Sequence, residues 1–239
     1  MIKDIILNER KVQYTLERKN VKNINLRIKP DQSIYVSANK QVPVSQIEKF
    51  IVSKSDYIVK ALERYAEIAK YSQKSKQYVD GESFKILGHN LRLKVVQDNK
   101  NQVSSDGSYI TLAVKNLCDT ELKKRTMNKW LKQQSKDVVL AACESVYPKF
   151  QKYGIEFPEI KFRSMVSRWG SCQPSRGILT FNASLIEVPY FCIEYVVVHE
   201  FTHFLQPNHS KKFYAQLAMF MPDWKERKKV LERHYLYTE

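Results

Sequence analysis

Three of the chain's five histidines, His199, His203 and His209, fall within eleven positions, and Glu200 directly follows the first of them. If Val196-Val197-Val198-His199-Glu200-Phe201-Thr202-His203-Phe204-Leu205 is helical, His199 and His203 lie one turn apart on one face, where two imidazoles can converge on a single ion. Glu200 then points about 100° away around the helix, beside the ligands, which suits a general base acting on water held by the metal. Pro207 interrupts the helical ladder and Asn208 favours a turn, so the chain can fold back and return His209 as a third ligand. A catalytic zinc takes three protein ligands and keeps one position open, so this segment alone supplies a site for one Zn2+ per chain. An HExxH pattern fixes only three letters and also arises by chance, but the crowding of a rare residue into one short segment weighs against coincidence.

These side chains need a helix, and the local sequence resists one. Val196-Val197-Val198 is a β-branched run that favours strand. In a strand, however, His199 and His203 would stand about 13 Å apart, too far to share an ion. The expectation is therefore a helix from about Pro189 to Leu205. Ser210 should cap the next one, with Phe213, Tyr214, Leu217, Ala218 and Phe220 facing inward, and Pro222-Asp223 should start a basic helix through about His234. Upstream, a helix from Asp119 or Thr120 towards Phe150, kinked near Gln134 and Ser135, precedes three short strands at 155–162, 164–169 and 177–182, with a turn region from Gly170 to Gly177.

The amino-terminal half carries no comparable chemistry. Alternation over residues 1–40, with Val12, Tyr14 and Leu16, then Ile24, Leu26 and Ile28, then Ile34 and Val36 after Pro30-Asp31, predicts a β meander. A helix from Gln46 to Gln73, capped by Ser45 with Glu48, should cover it. Residues 78–97 read as a hairpin, Asp98–Gly107 as a polar loop and Tyr109–Val114 as a strand; His89 sits at a turn without neighbouring ligands. The fold class is α+β: a mostly antiparallel β region with one long helix over residues 1–116, then a helix-and-small-sheet domain over residues 117–239 that holds the histidines.

Bulk properties narrow the functional classes. No run approaches the length of apolar chain that spans a bilayer, and MIKDIILNER carries two acids and two bases instead of an uninterrupted apolar core, so a cytoplasmic protein without membrane partners is expected. Cys118, Cys143, Cys172 and Cys192 form no CxxC pair, which excludes a four-cysteine zinc knuckle and a thioredoxin-like motif. Lys and Arg number 40 against 25 acids, a formal charge of +15 that favours polyanionic or acidic partners. The bases are scattered, so a solvated surface competes with nucleic-acid association, and no nucleic-acid fold signature accompanies them.

The blocks Ser167-Arg168-Trp169-Gly170-Ser171-Cys172, Gly177-Ile178-Leu179-Thr180-Phe181-Asn182-Ala183-Ser184-Leu185-Ile186, Tyr195 to His203, and Asn208-His209-Ser210-Lys211-Lys212-Phe213-Tyr214 occur together and in this order. In them the chain resembles the YgjP-like family of metal-dependent hydrolases, which is related to the SprT-like and WLM zincin metallopeptidases. Arg27 to Asp31, Val79 to Glu82 and Leu87-Gly88 extend the resemblance over nearly the whole chain. It departs at Tyr57 and Tyr214, where the family often has Trp; metzincins place Gly where Gln206 stands, so their active-site turn does not transfer. The resemblance implies a zincin-like carboxy-terminal domain, zinc on His199, His203 and His209, and Glu200 as catalytic base of a peptidase. It also implies a strand and turn at 164–172 beside the cleft, with Arg168 contacting substrate or an oxyanion and Trp169 forming an apolar wall with Phe201. Glu187 or Glu194 would orient the histidines. A metal-dependent nucleotide pyrophosphohydrolase acting on a phosphate-containing small molecule is the alternative reading, and a metal-stabilised module associated with nucleic acid a third.

Overall fold

A computed structural model describes residues 2–29, 31–71, 76–165 and 168–235. Pro30 of the expected turn, Gln73 at the expected helix end and Ser167 of the 167–172 block lie outside them. Contacts divide the α+β chain into two units, Met1–Lys74 and Ser75–Tyr235.

In the first unit, β1 (Ile2–Leu7), β2 (Arg10–Arg18), β3 (Asn25–Ile28) and β4 (Ile34–Ala38) form a sheet of order β1-β2-β4-β3. It is not a meander, because β2 and β4 run parallel, with Tyr14 opposite Ile34. Alternate residues Val12, Tyr14 and Leu16, with Ile34, Val36 and Ala38, turn to one face and are buried against Ile47, Ile51, Ile58 and Leu62. Those four come from two helices, α1 (Val44–Val52) and α2 (Ser55–Tyr71), where the sequence predicts one. The break falls at Ser53, whose hydroxyl donates to Phe50 O at 2.7 Å. Pro43, not Ser45, occupies the N-cap position.

The second unit begins by repeating that plan. β5 (Ser83–Ile86), β6 (His89–Gln97), β7 (Gln102–Ser105) and β8 (Tyr109–Val114) have order β5-β6-β8-β7, again with a parallel central pair. β7 lies within the segment read as a polar loop. The correspondence is one of register. Asn8-Glu9 and Leu87-Gly88 close equivalent two-residue hairpins with φ of 47°, 65°, 51° and 84°, the signature of a type I′ turn. Leu93 faces Ile110 as Tyr14 faces Ile34, and Thr120 follows Val114 at the interval at which Val44 follows Ala38. The helix that follows, α3 (Thr120–Val146), is continuous and capped by Asp119, whose carboxylate accepts from Leu122 N at 2.8 Å.

α3 belongs to two cores. Its first half lays Met127 on Leu91, Leu93, Ile110 and Leu112, while Val139, Ala142, Cys143 and Val146 pack into the core around the histidine helix. The domain boundary expected at residues 116/117 therefore lies inside the second unit, because this sheet and the helix after it share buried surface. Beyond α3 come α4 (Pro148–Gln151), β9 (Glu159–Arg163), β10 (Gly170–Gln173), β11 (Ile178–Asn182), α5 (Tyr190–Thr202), α6 (Lys211–Phe220) and α7 (Trp224–Tyr235). β11 is central in the small sheet, antiparallel to β10 and parallel to β9, and all five of its residues are buried. The described residues of 164–169 are not strand; the strand is β10, in the stretch read as a turn.

The hairpin between β5 and β6 fixes where α5 starts. At its tip Leu87 N–H donates to Ile186 O at 2.6 Å and Gly88 N–H to Glu187 O at 3.2 Å, just before Pro189 opens α5. A Cβ on Gly88 would stand 2.8 Å from Pro189 Cγ, at a φ of +84° that L side chains rarely adopt. Gly88→Ala should therefore destabilise the second unit by about 2 kcal/mol or more, read as a lowered denaturant midpoint at unchanged slope.

Candidate metal centre

α5 is helical despite Val196-Val197-Val198 because all three are buried. Burial contributes about 1.5–3 kcal/mol for each such side chain, against a helix-propensity cost below about 1 kcal/mol. The helix closes at Thr202, with His203 at its C-cap in αR geometry (φ −65°, ψ −21°), short of the expected end at Leu205. Leu205 and Gln206 N–H groups both donate to Thr202 O, tightening the exit before Pro207. The chain then reverses to Ser210, whose hydroxyl caps α6 by accepting from Phe213 N at 3.3 Å.

That reversal brings the three imidazoles together. Their ring centroids are 5.0, 4.9 and 4.7 Å apart for His199–His203, His199–His209 and His203–His209, and their ligand atoms lie within 4.8 Å of one another. Nε2 of His199 is 2.9 Å from Nε2 of His209. His203 Nδ1 faces Gln206 O at 3.2 Å; as an N–H donor there it leaves Nε2 with a lone pair for the cluster. The orienting acceptor is thus a carbonyl of the turn itself. Glu194, one of the two expected carboxylates, accepts instead from Arg227 at 2.7 Å, the guanidinium that also binds Asp223 at 2.8 Å and ties α7 to α5.

Burial, with the neighbouring imidazoles adding to it, pushes His199 down to about 3, and burial likewise lowers His203. Neutral imidazoles are the form a metal needs. His199 Nδ1 is buried without a hydrogen-bond partner among the described residues. Three converging imidazole nitrogens fit an imidazole-binding divalent ion such as zinc. Phe213, fully buried, stands with its centroid 4.9, 4.7 and 4.8 Å from those of His199, His203 and His209 and so walls all three imidazoles. Tyr214 stacks on His209 at 6.2 Å, and Trp224 on Tyr214 at 5.1 Å. The sequence marked Phe213 only as core; its position four residues after His209, at the helix cap, was the available signal.

Glu200 is 5% exposed. Burial raises its carboxyl to about 8, an effect that the charge of Arg168 partly offsets. Its side chain abuts the backbone of β10 at Gly170. Arg168 itself is exposed, and Trp169 is half-buried against the core that contains Phe201. Asn182, buried at the end of β11, holds this approach: its amide donates to Met165 O at 2.6 Å and Arg168 O at 3.2 Å, and its backbone N–H to Trp169 O at 2.9 Å. Cys172, two residues along β10, is half-buried with its thiol pushed up to about 12 by burial and, less, by Glu200; it is not among the converging ligands. His89 is exposed and outside the cluster.

Among the described residues no helix is long and apolar enough to cross a membrane. No curated protein matches the chain. The sequence model of the YgjP-like, metallopeptidase domain family matches residues 22–234, spanning β3, β4 and the two helices of the first unit as well as the histidine cluster. With that match over most of its length, the chain belongs to the YgjP-like metallopeptidase-domain family.

Proposed function

We propose that the protein is a zinc-dependent peptide hydrolase in which His199, His203 and His209 hold the ion and Glu200 carries the proton. The observation that carries this reading is a buried carboxylate, raised to about 8, on the residue next to one of three converging imidazoles. Zinc, when bound, supplies Lewis acidity that polarises a carbonyl and acidifies water. Glu200 accepts the proton of the attacking water as the new C–O bond forms and delivers it to the amine nitrogen as the C–N bond breaks. Arg168, a fixed cation with five donors, binds the oxygen on which negative charge develops or a substrate carboxylate. Trp169 shields one side of the approach.

A peptide fits better than a nucleotide. β10 ends its sheet, so among the described residues its outer edge is free to pair with an extended peptide beside Glu200. Parallel assays on an unfolded protein substrate and on nucleoside triphosphates test the choice. Cleavage of the polypeptide that chelation stops, with the nucleotides intact, is the expected result. Pyrophosphate release that chelation stops would replace this reading by the pyrophosphohydrolase, and salt-sensitive nucleic-acid binding without either hydrolysis would replace it by the binding module.

A further inference from the structure

We infer that Gly170 is a positioning residue for Glu200, a role that rests on Glu200 acting as the proton carrier. A Cβ at position 170 would lie 2.6 Å from Glu200 Oε1, 2.7 Å from Cγ and 2.9 Å from Cδ, closer than real side chains approach. Backbone conformation does not demand glycine here, since Gly170 is not among the residues with positive φ. The requirement is spatial: the missing side chain is the socket that receives the carboxylate.

Both walls of that socket are fixed. On one side Gly170 pairs with Phe181 across the β10–β11 ladder, Phe181 is fully buried, and Asn182 N–H holds Trp169 O immediately before the strand. On the other side Glu200 stands on a buried helix, next to His199. A methyl group at 170 therefore displaces the softest of its neighbours, the Glu200 side chain, and leaves sheet, helix and histidines in place. The carboxylate is then displaced from its present place beside His199, and, with Glu200 as the proton carrier, proton-transfer rates fall steeply with such misplacement.

A double-mutant cycle tests this by stability and by kinetics. In the metal-free protein Gly170→Ala should lower the unfolding temperature by about 3–8 °C through overpacking, and the same change in a Glu200→Ala background should cost little, because the conflict is gone. In the zinc-loaded protein Gly170→Ala should lower kcat about 10–100-fold with KM within about twofold and metal content unchanged. An equal stability loss in both backgrounds overturns the inference. Coupled stabilities with an undiminished kcat would also overturn Gly170's positioning role, and would show that the proton-carrier reading of Glu200 is what failed, since the contact itself would stand.

Discussion

Glu200→Gln lowers peptide turnover by roughly 10²–10⁴-fold and leaves metal content unchanged, the scale expected for loss of one general acid–base group. The substitution is nearly isosteric, so the side chain still fills the socket opposite Gly170, where a Cβ would lie 2.6 Å from the present Oε1. The three imidazoles keep their partners: His203 Nδ1 remains on Gln206 O, and Phe213 still walls all three rings. Only the proton acceptor is lost. Steady-state kinetics on a fluorogenic peptide, with metal analysis on the same sample, separate the effects. A kcat near wild type with full metal would remove Glu200 from the reaction; a kcat loss accompanied by metal loss would make its role structural.

The three-histidine cluster was legible because its signal is spacing: imidazoles at 199 and 203 come within reach of one ion in a helix and cannot in a strand. The β-branched run before them pointed the other way, and burial of Val196, Val197 and Val198 in the shared core overrode it. β10 was read as a turn because Gly170-Ser171-Cys172-Gln173 has little strand propensity and a proline follows; its pairing with the wholly buried β11 supplies what local sequence lacks. The parallel central pairs and the repeated plan of the two four-stranded sheets were also hidden. Their hairpins close on Asn8-Glu9 and Leu87-Gly88 instead of Asn-Gly, so register follows from backbone conformations with only faint residue signatures. Backbone atoms are silent in a sequence, which is why carboxylates were expected to orient the histidines where the carbonyl of Gln206 serves His203.

Removing the metal lowers the unfolding temperature of the second unit by about 8–16 °C. The figure follows from about 4 kcal/mol of linkage at a thousandfold excess of ion over its dissociation constant and about 2–4 °C per kcal/mol for a unit of this size. The cause is local: in the proposed site two of the histidines sit at the end of α5 and the third on the turn into α6, so an ion held by all three would cross-link segments otherwise joined by a capped reversal. The metal-free protein then has its own pH signature. Glu200 moves from 4.5 to about 8 on folding, so above pH 4.5 the unfolded chain releases a proton that the fold retains, and stability falls as pH rises towards 8. His199 moves from 6.5 to about 3, so below pH 6.5 the unfolded chain takes up a proton that the fold refuses; His203 acts in the same direction. Metal-free stability should therefore peak between about pH 6 and 6.5 and decline on both sides, losing about 1 kcal/mol on the alkaline limb up to pH 8 once the opposing histidine contribution is included. Thermal scans across pH on metal-free wild type and Glu200→Gln assign the limbs: glutamine should flatten the alkaline one and leave the acid one. An alkaline limb that survives the substitution would mean that another group holds the proton, and the burial of the Glu200 carboxyl would no longer account for the loss of stability above neutrality.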